Sequence, residues 1–159
     1  MRRTDLVLDT HLTELSIQTA AECIIETILD NQKTSINKVL YTINFYWKQI
    51  PSACFSSHKA YFLTTAAFTD NMLNFLPILY TIHISKKLKL NEEVTLYIED
   101  NTHNISQKEA WLFIGDKREV TKALLIKAEN VMKKECNGEE WKLNIIMLAT
   151  GRHLKKSYR

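Results

Sequence analysis

Glycine and proline are scarce, at 3 and 2 of 159 residues, against ordinary frequencies of roughly 7% and 5%. Tight hairpin turns draw on glycine for their positive-φ positions, so the shortage favours helices over sheet. It also removes the glycine-rich loops that wrap a phosphate, because a Cβ atom keeps the backbone from a close approach. A nucleotide-binding P-loop is excluded by count. The three cysteines, Cys23, Cys54 and Cys136, are an odd number at long spacings with no CxxC pair. Neither a zinc site nor a dithiol redox centre is indicated, and a reduced intracellular compartment, cytoplasmic or nuclear, is the simplest reading. Long apolar runs are missing as well. The longest, about Met72 to Ile84, includes Pro77 and is too short for a bilayer that needs about 20 residues, so no membrane partner is expected. Met1 to Leu12 carries two arginines followed by two aspartates instead of a continuous apolar stretch, and is not read as a secretory leader.

What is present has ordinary globular proportions, with 45% hydrophobic and 25% charged residues, and the length matches one domain spanning 1–159. Net charge is +3, and Arg152, Lys155, Lys156 and Arg159 gather at a C-terminal tip, 152–159, that contains no acid. The body is then nearly neutral, unlike proteins that spread a basic stripe over the fold to grip phosphates.

Hydrophobic residues recur at three- and four-residue steps from Leu12 to Leu29, through Leu15, Ala21, Ile24, Ile25 and Ile28, the pattern of one helix face. Ser35 caps a second helix carrying Ile36, Val39, Leu40, Ile43, Trp47 and Ile50, stopped by Pro51. A third begins near Ser57. Asp70 is positioned to cap a fourth that Pro77 kinks or delays. Asn91-Glu92-Glu93 reads as a cap with two first-turn acids, and Ser106 with Glu109 and Asp116 with Glu119 have capping-box spacing ahead of apolar runs. The helix from about Lys117 ends at Asn137-Gly138, and a last segment from Glu139 carries Trp141, Ile145 and Leu148. The expected architecture is all-α, antiparallel helical hairpins forming a short α-solenoid or a compact bundle. The alternative is α+β, with a small sheet from segments near 80–98 and 143–148.

Trp111-x-x-Ile114-Gly115, preceded by Ala110 and followed by Ala123 and Ala128, resembles the first-helix box of a tetratricopeptide-type helical-hairpin repeat over about 107–134. Arg118 stands where that family places an aromatic. The resemblance implies stacked helices with a concave surface that binds peptides or partner proteins.

No constellation of residues supplies a reaction. His11, His58, His83, His103 and His153 form no i, i+4 pair, so no metal site or cofactor is expected. No serine sits in a glycine-bounded elbow, and the acid pairs Glu92/Glu93, Glu99/Asp100 and Glu139/Glu140 fall where acids serve caps and solubility. Phe45, Tyr46 and Trp47 open the densest aromatic cluster, and their adjacent positions point to different helix faces, leaving Phe45 or Tyr46 exposed as an anchor. The expectation is a non-catalytic interaction module that binds a partner peptide or helix in a hydrophobic groove through Phe45, Tyr46 and Trp111, the partner being another protein or a second copy. The alternative is a nucleic-acid-binding accessory protein using Arg152, Lys155, Lys156 and Arg159.

Overall fold

The computed structural model describes residues 14–99, 108–117 and 119–159. Three helices, α1 (Ile17–Asp30), α2 (Ile36–Trp47) and α3 (His58–Leu79), precede the strands β1 (Ile84–Lys89), β2 (Thr95–Glu99) and β3 (Lys108–Ile114). Helix α4 (Lys122–Cys136) then leads to β4 (Trp141–Met147) and β5 (Arg152–Tyr158). The strands lie in chain order in one sheet. All neighbours are antiparallel except β3 and β4, which run parallel with α4 as their crossover.

The fold is therefore α+β. The all-α expectation, the helical-repeat reading and the tetratricopeptide resemblance are all overturned by the five-stranded sheet. The box Trp111-x-x-Ile114-Gly115 is the end of a strand, paired through Trp111 with Asn144 and through Ile114 with Met147. Glu109 lies in β3 and not in a helical first turn, whereas Ser106 lies outside the described residues. The cause of the misreading is burial on both faces. Alternate residues of β3 serve two different cores, so the strand is a continuous apolar run without alternation, which periodicity cannot tell from a buried helix.

Helices α1 to α3 cover one face. Ala21, Ile24, Ile28, Val39, Ile43, Trp47, Phe68 and Met72 pack there against Tyr97, Trp111, Phe113 and Ile146. Helix α4 covers the other face, with Leu124, Ala128 and Met132 against Leu96, Ala110, Leu112 and Leu143. Each helix start is capped by a hydroxyl that accepts from a backbone N–H three residues on: Ser16 from Thr19, Ser35 from Lys38, Ser57 from Ala60 and Thr121 from Leu124. Helix α3 is continuous through Asp70, with Pro77 in its last turn.

Few glycines suffice because this sheet makes little use of tight turns. The β3 to β4 link is a helix, and between β1 and β2 the Asn91 side chain accepts from the N–H groups of Glu93 and Val94, both at 2.8 Å. That side-chain turn does the work of a glycine. Only Gly151, at φ +78, serves a hairpin, between β4 and β5. Asn137 at φ 49 and Gly138 at φ 83 end α4 as the sequence indicates. Among the described residues no helix is long and apolar enough to cross a membrane.

Candidate functional site

Helix α2 is apolar on two sides. Val39, Ile43 and Trp47, at four-residue steps, are buried. The Trp47 indole N–H donates to Thr65 Oγ1 at 2.8 Å, and its ring centroid lies 4.2 Å from that of Phe68. Thr34 accepts from the Tyr80 hydroxyl at the other end, so α2 and α3 run antiparallel. The outward side should be polar. Instead Lys38, Tyr41, Phe45 and Lys48 follow at steps of three, four and three, all exposed. Tyr41 is 70% exposed and Phe45 41%. Their rings stack 6.5 Å apart, and the Lys48 ammonium sits 5.7 Å from the Phe45 ring. Ile36 and Leu40 are also exposed, but at about 100° per residue they flank the buried side of Val39, Ile43 and Trp47 and do not extend the stripe.

The first half of α3 repeats the pattern with Lys59, Phe62, Leu63 and Ala66 on its exposed side, Phe62 being 67% exposed. Where the two helices join, a cleft of about 410 Å³ is lined by Lys48, Ile50, Ser52, Phe55, Ser57, His58 and Tyr61. A full large apolar side chain presents about 150 to 250 Å². Tyr41, Phe45, Phe62 and Leu63, the four on the outward faces of α2 and α3, therefore offer on the order of 400 Å², within the range of the largest apolar patch on a typical monomer.

A charge pattern accompanies this surface. Residues 31–69 contain no aspartate or glutamate, whereas Lys33, Lys38, Lys48 and Lys59 are all exposed there. This run of acid-free sequence was readable without coordinates, and the reading by aromatic density missed it.

The three residues expected to anchor a partner do not share one surface. Phe45 stands on the exposed stripe. Tyr46 is half-buried against the core with its ring edge-on to Phe45 at 5.1 Å. Trp111 is buried in β3, where its indole N–H donates to Glu99 Oε1 at 3.1 Å. The basic tip forms strand β5, whose side chains alternate. Arg152 and Lys156 lie on the α4 side with Tyr158, and Lys155 lies on the opposite face with His153. Arg159 pairs with Glu140 at 3.3 Å. The four cations are thus divided between faces.

A second group of polar side chains occupies the sheet face below α3. Glu99 and Glu109 are register partners on β2 and β3. Asn144, fully buried in β4, meets His153 Nε2 through Oδ1 at 3.0 Å. Burial raises the Glu99 carboxyl above its ordinary range, and the Glu109 carboxyl beside it adds to the effect. Burial, with Lys155 nearby, lowers the basicity of His153. Sequence placed Glu99 among surface acids; only strand register brings it opposite Glu109. The described residues contain no group of three or more His, Cys, Asp or Glu able to hold a metal ion. No protein-family model, no curated protein and no solved structure matches this chain.

Proposed function

We propose that the chain is a protein-interaction module that docks a partner polypeptide on the outer surface of the α2–α3 hairpin. The observation that carries this reading is the outward stripe of α2. A solvated helix has no physical reason to place Tyr41 and Phe45 opposite its own buried face. Burying on the order of 400 Å² here and a similar area on the partner yields a gross gain of about 20 kcal/mol at about 25 cal/mol/Å². Lost translational and rotational freedom takes back about 4 to 15 kcal/mol, which leaves an interaction of moderate affinity. The cleft beside Lys48 gives one partner side chain a socket, the arrangement in which anchor residues concentrate binding energy.

The test compares wild type with a Tyr41→Asp, Phe62→Asp double variant in affinity purification. A protein retained by wild type, lost by the variant and then rebound in pure form in titration calorimetry supports the reading. A partner held equally by both proteins, or lost only when Lys155 and Lys156 are changed, overturns it.

A further inference from the structure

Resting on that reading, we infer that the surface is built for an acidic amphipathic segment, one whose apolar side chains are flanked by aspartate or glutamate. The stripe Lys38, Tyr41, Phe45, Lys48 sets two stacked aromatic rings between two exposed lysines along the helix, with the Lys48 ammonium 5.7 Å from the Phe45 ring. At about 1.5 Å per residue it is about 15 Å long, matching three turns of a partner helix with an apolar centre and an acid toward each end. Lys59 repeats the arrangement beside Phe62 and Leu63 on α3. The cleft between the helices is rimmed by Lys48 and His58, and no acid among the described residues lines it. All 18 acidic residues of the chain lie outside 31–69. Among the described residues, no ion pair joins Lys38, Lys48 or Lys59 to an aspartate or glutamate.

Three occupants share some of this chemistry, and the geometry favours the peptide. A second copy would bring lysine against lysine on an isologous interface, which like-charge repulsion opposes. A nucleic acid is favoured by planar arginines beside the aromatics, and residues 31–69 contain none. An anionic bilayer offers the charge, but it is a broad surface with no single side chain to seat in a 410 Å³ socket.

The experiment measures fluorescence anisotropy of a labelled helical peptide of roughly four turns, with a leucine face flanked by glutamates, and of its counterpart with every glutamate changed to lysine. Vesicles of phosphatidylserine and phosphatidylcholine are a third probe. The acidic peptide is expected to bind about tenfold more tightly than the basic one at low salt, as two exposed charge pairs allow, with the margin shrinking as salt rises. A Lys38→Glu, Lys48→Glu variant, its fold checked by circular dichroism, should reverse the order. Equal affinity for the two peptides, or an order unchanged in the variant, overturns the inference. If Tyr41→Asp with Phe62→Asp still abolishes that equal binding, the docking surface itself stands. Failure of both peptides to bind, or binding to vesicles alone, overturns the inference as well.

Discussion

Glu99 of β2 stands directly across the antiparallel ladder from Glu109 of β3, so two carboxyl groups meet where a sheet normally sets opposite charges or apolar pairs. The Glu99 carboxyl also accepts from the Trp111 indole and from the His83 backbone N–H. Its pKa is raised, by burial first and Glu109 second, from an ordinary value of 4.5. The folded state therefore holds a proton that the unfolded chain releases earlier. Stability attributable to this site is full below the ordinary value and falls as pH rises through the higher folded one.

Glu109→Gln removes the like charge and leaves the burial. The expected outcome is a gain of about 0.5 kcal/mol near pH 8 and almost none near pH 4. Urea unfolding at both pH values measures it. An equal gain at the two would show that charge is not the cause.

Gly115 is required by contact. A Cβ there would lie 2.4 Å from the Ala21 Cβ of α1. The Gly115 N–H donates to Gln18 Oε1, and Gln18 Nε2 donates to the Phe113 carbonyl, both at 2.7 Å. Gly115→Ala is expected to cost about 2 to 3 kcal/mol by overpacking and by spreading this clamp. Adding Ala21→Gly should restore part of that loss despite its own helix penalty of about 1 kcal/mol. Thermal unfolding of the two single variants and the double variant decides the matter, because strict additivity would place the clash elsewhere.

The exposed stripe separates binding from stability. Tyr41→Ser and Phe62→Ser should each change unfolding free energy by no more than about 0.5 kcal/mol, because both side chains are mostly in water. Trp47→Ala, on the buried side of the same helix, should cost about 3 to 5 kcal/mol. Chemical denaturation measures both, and a Tyr41→Ser cost like that of Trp47→Ala would show the stripe to be structural.

Strand β5 forms one end of the strand order and carries Arg152, Lys155 and Lys156, the residue type that keeps an edge from pairing with another chain. Lys155→Val with Lys156→Val should produce concentration-dependent self-association, read by light scattering. Strictly monomeric behaviour at high concentration would mean that these charges do not guard the edge.

Sequence disclosed the helices that keep a wet side. Ala21, Ile24 or Ile25, and Ile28 in α1, and Val39, Ile43 and Trp47 in α2, recur at three- and four-residue steps, although α1 also buries Gln18 and Glu22 and exposes only Thr27 and Asp30. It did not disclose β3. Trp111 and Phe113 serve one core, and Ala110, Leu112 and Ile114 the other, which erases the two-residue alternation that marks a strand. The glycine count misled because Asn91 and helix α4 make turns that elsewhere consume glycine. At the site, Phe45 stood out as an aromatic beside a buried tryptophan. Trp111 looked equivalent until pairing with Asn144 placed it inside the sheet. The facing of Glu99 and Glu109 depends on a register that distant strands decide.

The parallel seam between β3 and β4 sets an order on assembly. β1 with β2 and β4 with β5 are hairpins between near neighbours in the chain, able to close on the microsecond scale. Ala110 must find Leu143 across the whole of α4, a search whose loop-closure entropy is lost before any contact returns it. Until β4 and β5 are made, the β3 edge has no partner strand, in addition to the β1 edge that ends the strand order.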